Sequence, residues 1–260
     1  MALFRTSNPA LREETFTKLG DNQYGNGSGI LLDAADRMSL AGTVNKTGIL
    51  LLCCLGTALW TWHLFLADRD PASITGLMLL GLIAGFILAM ITIFVQKASP
   101  FTAPLYALAE GLALGGLSAM LEVRYPGIAI QAVSLTFGTL FVLLFLYSSH
   151  IIKVTDKLRL GIVAATGGIA FFYLIEMVAG IFGFHFTAVN NSSPLSIGFS
   201  IFVVIIAALN LVLNFDIIER GVQAGAPKYM EWYGAFGIMV TLVWLYLEIL
   251  RLLSKVRSRN

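Results

Sequence analysis

Four carboxylates stand within or at the ends of long apolar runs: Glu110 in TAPLYALAEGL, Glu176 in FFYLIEMVAG, Asp216 in LVLNFDIIERG and Glu248 in LVWLYLEILRLL. A charged side chain at the centre of a bilayer costs about 2.5–3.5 kcal/mol on insertion scales, so an acid kept there is a functional hypothesis by default. Two acids close together in low dielectric cannot both ionise easily. They share a proton and titrate in coupled steps, which makes such a pair a proton switch and, once deprotonated, a transient site for calcium or another cation. Asp216 and Glu248 are the two best placed for this, because antiparallel packing of their runs would bring them toward one level. Each also has an ordinary alternative, an ion pair on its own helix: Arg220 follows Asp216 by four residues, and Arg251 lies one turn beyond Glu248. Glu110 has no basic neighbour on its own helix and is expected to be protonated, hydrogen-bonded or turned to water. Glu176 is a similar, weaker candidate.

The elements that must position these groups are membrane helices. The chain has 260 residues, 57% of them hydrophobic and 12% charged, with a mean hydropathy of +0.82. A soluble domain of this length carries roughly twice that charge. Seven runs, at about 47–67, 74–96, 102–121, 128–149, 160–183, 195–219 and 232–253, are long enough to cross about 30 Å of hydrocarbon, for which a helix needs roughly 20 residues. The expected fold is therefore all-α and polytopic, with residues 1–46 a flexible tail, 47–253 the membrane domain and 254–260 a basic end. Connections such as ADRDPAS, QKASPF and EVRYPG join charge to helix-ending Pro and Gly.

The tail and the second, fourth and sixth loops together hold 11 Lys and Arg, against 2 in the loops on the other side. That bias places the N-terminus in the cytoplasm. Seven crossings then leave Arg251, Lys255, Arg257 and Arg259 toward the far side, against the usual rule; the alternative is a last segment that stops short. Seven crossings are the preferred reading. GLIAG at 81–85 and GLALG at 111–115 are small-xxx-small patterns that let helix backbones approach in lipid. Trp60, Trp62, Tyr125, Trp232 and Tyr233 near span ends suit the interfacial aromatic belts.

Several chemistries find no support. Cys53 and Cys54 are adjacent within an apolar run and read as free core residues. The net charge of +2 gives no nucleic-acid signature. No HExxH, GxSG or GxGD motif is present, so catalysis is not expected, and no phosphate loop or mid-helix lysine for retinal exists. His63, His150 and His185 are scattered, as interfacial residues would be. No cofactor is expected; calcium enters only as a permeant ion. A monomer is compatible with all of these features.

The ending LYLEILRLL resembles the LYLDxxNLF signature in the last helix of the Bax inhibitor family, the transmembrane Bax inhibitor motif proteins, and NFDIIERG resembles the segment ending their sixth helix. RTSNPAL, GTVNKTGILLL and APLYALAEGLALG look like the bacterial branch, so the resemblance spans nearly the whole chain. It implies a central last helix surrounded by two three-helix groups, in a multi-pass protein of the cell inner membrane. It also implies a pH-sensitive calcium leak channel gated by an acid pair, which falls here on Asp216 and Glu248. This chain has Glu where the family has the second Asp, and Arg251 where it has Asn. A different role is implied by relatives that modulate a membrane-anchored AAA protease through the cytoplasmic tail.

Overall fold

The computed structural model describes residues 36–68, 71–183 and 191–259. The Gly- and Asn-rich stretch near residue 25 and His185 lie outside them. The described residues form seven helices long and apolar enough to cross a membrane: α1 (Leu40–Asp68), α2 (Pro71–Phe94), α3 (Ser99–Arg124), α4 (Ile128–Ser148), α5 (Asp156–Ile181), α6 (Pro194–Gln223) and α7 (Met230–Arg259). A short 3₁₀ turn, Gln96–Ala98, links α2 to α3. All seven apolar runs are helices, and most extend beyond the hydropathy signal by a turn or more. Apolarity marks only the part that needs lipid; the backbone continues until a cap or turn stops it. Thus α6 runs past Gly221, and its last turns close through Gly225, which takes φ +69°.

The chain divides into two compact units. The first holds the described residues to Arg124 with Asn214–Val240; the second holds Tyr125–Leu213 and the chain from Thr241 on. The α6 and α7 helices therefore each contribute to both.

In the first unit α1 and α2 both pack on α3, and the glycine motifs are the reason they come so close. A Cβ on Gly81 would lie 2.5 Å from the Ala109 carbonyl oxygen, one on Gly111 would strike Thr57 and the Cys54 carbonyl, and one on Gly115 would strike the Ala58 backbone. The approach lets the Thr57 hydroxyl donate across to the Leu108 carbonyl at 2.9 Å. Phe65, Ile74 and Ala119 form a buried cluster below, with Trp62 and Met78 against it. Tyr106 of α3 meets Phe236 of α7 edge to face at 5.0 Å.

One end of this unit is clasped. Met38 N–H donates to the Ala226 carbonyl and Lys228 N–H to the Asp36 carbonyl, at 2.7 and 2.9 Å. The Ser99 hydroxyl that begins α3 donates to the Tyr229 carbonyl at 3.1 Å. Glu231, in the first turn of α7, is fully buried. Its carboxylate accepts from Ser39 N–H and Oγ at 2.9 and 2.8 Å and pairs with Lys46 and with Lys228. Gly42 is needed there, because any Cβ would occupy the carboxylate's place. Lys46 also lies over the Trp232 ring, 5.5 Å from its centroid. Tyr229, just ahead of α7, is half-buried, and that burial pushes its phenol above the usual value. Tyr233 departs from its expected interfacial place: it is fully buried with Phe236 beside it.

In the second unit Ile169, Val203 and Ile206 form the core, with Tyr173, Phe199 and Trp244 packed on it. Asn210 of α6 donates to Thr166 of α5 at 2.8 Å. Thr155 caps α5 by accepting from Leu158 N–H. The basic end of the chain forms the last turns of α7. Arg257 donates to the Pro126 carbonyl at 2.6 Å and to Gln131 at 2.9 Å, and Ser258 is hydrogen-bonded to Ser192.

These contacts fix connectivity. Within the first unit the approach to α1, the start of α3 and the α6–α7 connection lie at one end. Within the second, the end of α7 lies with the α3–α4 turn and the residues leading into α6. At a rise of about 1.5 Å per residue, the 30 residues of α7 are long enough to span the hydrocarbon, as seven crossings need.

Candidate functional site

Burial singles out the helices that carry Glu110, Asp216 and Glu248. The apolar stretch of α7 is 61% buried, those of α3 and α6 are 56% and 44%, and no other exceeds 22%. Along α7 the residues from Met230 to Leu250 are buried or half-buried on every face, as an enclosed helix requires. Gly234, Gly237 and Thr241, on the small and polar stripe that includes Glu248, are all buried. A carboxylate on this helix cannot turn to lipid and must find partners inside the protein.

Glu248 is 3% exposed, and its partners come from two helices of the second unit. Tyr173 of α5 donates its hydroxyl to Glu248 Oε1 at 2.9 Å. Arg251 Nη1 reaches both carboxylate oxygens, at 3.3 and 3.5 Å, and also donates to the Tyr173 hydroxyl at 2.6 Å. The guanidinium carbon stands 4.9 Å from the centroid of the Tyr173 ring, within cation–π range. Carboxylate, phenol and guanidinium thus close a triangle, with the cation 44% exposed and the acid sealed beneath it. One turn further along α7, the buried Lys255 donates to Ser200 of α6 at 2.9 Å. It feels the charges of Arg251, Glu248 and Glu176. Glu176, half-buried on α5, therefore joins this cluster.

Asp216 belongs to the first unit. Its Oδ2 accepts from Arg220 Nε at 3.1 Å, and its side chain is 13% exposed. Both arginines that the sequence placed one turn from an acid pair with it. Glu110 differs in kind. It is half-buried on α3, hydrogen-bonded to Tyr106 one turn earlier, and its carboxyl oxygen lies 3.1 Å from where a Gly85 Cβ would be. Gly85 thus makes room on α2 for the acid of α3, a second use of the GLIAG motif beside backbone approach. Cys54 is buried nearby on α1; it and Cys53 are free thiols.

Spacing along the chain marked Arg220 and Arg251 but not Tyr173 or Ser200, which meet Glu248 and Lys255 only through the packing of α5 and α6 on α7. Tyr173 carries one usable signal. It stands one turn before Glu176 in an apolar run, where a buried phenol needs a hydrogen-bond partner. The Glu231 node has none, because Ser39, Lys46 and Lys228 are ordinary polar residues near helix ends. Among the described residues, no group of three or more His, Cys, Asp or Glu is arranged to hold a metal ion.

Fold and site together define a multi-pass, all-α membrane protein with ionisable groups enclosed among its inner helices. A family model described as Bax inhibitor 1 like matches residues 8–258. The chain belongs to that family. No curated protein and no solved structure is significantly similar to it.

Proposed function

We propose that the chain is a cation leak channel that passes calcium down its gradient and closes on acidification, with Asp216 and Glu248 as the proton-sensitive groups. The observation that carries this reading is the enclosure of Glu248: an acid on the most buried helix, held by Tyr173 and Arg251. Family membership supports it, since a proton-gated calcium leak is what the resemblance implies. The Lys and Arg bias supports placement in the cell inner membrane with the N-terminus in the cytoplasm.

The sign of the pH response follows from the pairing. When deprotonated, each carboxylate compensates the arginine on its own helix, so a divalent cation meets no net positive charge. When Glu248 takes up a proton, Arg251 keeps its charge and loses its counter-ion. Lys255 adds a second positive charge one turn away, and Glu176 is the remaining acid in that field. A net positive site repels calcium, and flux falls.

Calcium uptake by dye-loaded liposomes containing the purified protein tests this. Glu248→Gln resembles the protonated acid and is expected to give low flux at both pH 6 and pH 8. Asp216→Asn is expected to flatten the remaining pH dependence. Variants that keep the wild-type pH profile would remove these acids from the gate.

A second reading has its own observation. The last part of the N-terminal tail, from Asp36 on, is fastened to the α6–α7 connection through Asp36, Met38 and Glu231. A protein bound to the tail, such as a membrane-anchored AAA protease, would pull directly on the start of α7. Deleting residues 1–35 separates the two readings: a leak channel keeps its flux, and a regulator loses its partner.

A further inference from the structure

Acid closure through a bare arginine raises a physical difficulty. Arg251 is 44% exposed, and a long, flexible cation released by its carboxylate would swing toward water and leave the path neutral. Something must keep it in place when Glu248 is protonated, and the surroundings of Glu248 contain one group suited to the task. The Tyr173 hydroxyl accepts from Arg251 Nη1 at 2.6 Å, shorter than either contact of that nitrogen with the carboxylate. The ring of the same residue lies under the guanidinium. Neither interaction needs a charge on Glu248. The hydroxyl proton, meanwhile, is donated to Glu248 Oε1, an oxygen that still accepts as the carbonyl of a neutral acid.

We propose that Tyr173 is a positioning residue that holds the Arg251 guanidinium beside Glu248 after the carboxyl has taken up its proton, keeping a fixed positive charge on the cation path. The proposal rests on the channel reading and adds a part to it: Glu248 senses the proton, Arg251 supplies the repulsion, and Tyr173 keeps the repulsion where it acts. The ring is itself fixed, because Tyr173 packs on the Ile169, Val203 and Ile206 core and against Phe172. The other charged groups of this cluster are Lys255 on α7 and Glu176 on α5. Lys255 is bound to Ser200, and nothing in the proposal requires it to move.

The test compares Tyr173→Phe, which keeps the ring and removes the hydroxyl, with Tyr173→Leu, which removes both. Calcium flux at pH 6 and pH 8 is measured in liposomes. Infrared difference spectra between the two pH values are recorded on the same samples. In wild type, flux at pH 8 exceeds flux at pH 6. That ratio is expected to approach unity in Tyr173→Leu, because the freed arginine no longer blocks at pH 6, and to be intermediate in Tyr173→Phe. The protonated-carboxyl band that is absent from Glu248→Gln is expected at higher frequency in Tyr173→Phe, since its carbonyl has lost a hydrogen bond. A wild-type ratio in Tyr173→Leu overturns the proposal. So does a Glu248 band that does not move in Tyr173→Phe. If the wild type carries no flux while the band moves, the channel reading falls, and the Tyr173–Glu248 hydrogen bond stands with no gate for Arg251 to serve.

Discussion

The residues that matter are charged groups placed where charge is expensive, and each is explained by its partners. Glu231 is the fullest case: a buried carboxylate with two lysines, a serine hydroxyl and a backbone N–H around it. Removing one member of a buried ionic group leaves the others desolvated and unpaired, which costs about 3–5 kcal/mol in well-buried cases. Lys228 is half exposed and can turn to water, whereas Lys46 is only 16% exposed. Glu231→Ala is therefore expected to lose about 3 kcal/mol, near the lower end of that range. It is also expected to open the clasp, so that trypsin cuts after Arg37 in native protein. A variant that melts in detergent with wild type and resists trypsin at Arg37 would show that the node holds nothing. The sequence exposed the four acids of the apolar runs because charge stands out against hydrocarbon. Glu231 was hidden, since an acid in the first turn of a helix is commonplace and favourable there.

At the scale of elements, spacing carried most of what was legible. The two small-xxx-small motifs select which faces meet: Gly81 and Gly85 turn toward α3, and Gly111 and Gly115 toward α1. A methyl group on Gly115 would have to displace the Ala58 backbone, and overpacking of that kind costs about 1–3 kcal/mol. Gly56 and Gly48, on α1, have nothing within 4 Å of the place a Cβ would take. Gly115→Ala is expected to lower the melting temperature, whereas Gly56→Ala is expected to hold or raise it by relieving the helix of a residue that costs about 0.5–1 kcal/mol relative to Ala. Equal effects from the two substitutions would separate the motif from packing. Helix ends were less legible than helix middles. The hydropathy signal stops where lipid stops, while α1 begins at Leu40 and α7 runs to Arg259, carried by capping and by side-chain contacts at the ends. The aromatic residues show the same limit. Trp60 is exposed, as an interfacial residue should be, and Tyr233 is wholly buried, because proximity to a span end does not say which face a ring occupies.

Across the whole molecule, an odd number of crossings puts the two ends of the chain on opposite sides of the membrane. In a background without Cys53 and Cys54, Arg37→Cys and Arg259→Cys are expected to react with an impermeant maleimide from opposite faces. Reaction from the same face would remove one crossing. Seven helices of membrane-crossing length and the family were readable from hydropathy and from short matches at the ends of α6 and α7. What the sequence left open was how each acid is held. Ion pairing one turn along the same helix was legible for Asp216 and Glu248, whereas the phenol that completes the Glu248 triangle arrives from α5, 75 residues earlier in the chain. The most direct measurement is calcium entry into dye-loaded liposomes bearing the wild-type protein, at pH 8 and at pH 6, against empty liposomes. Entry well above the empty control at pH 8 and a clear fall at pH 6 is the expected result; equal entry at both values, or none above the control, would contradict proton-controlled cation leak.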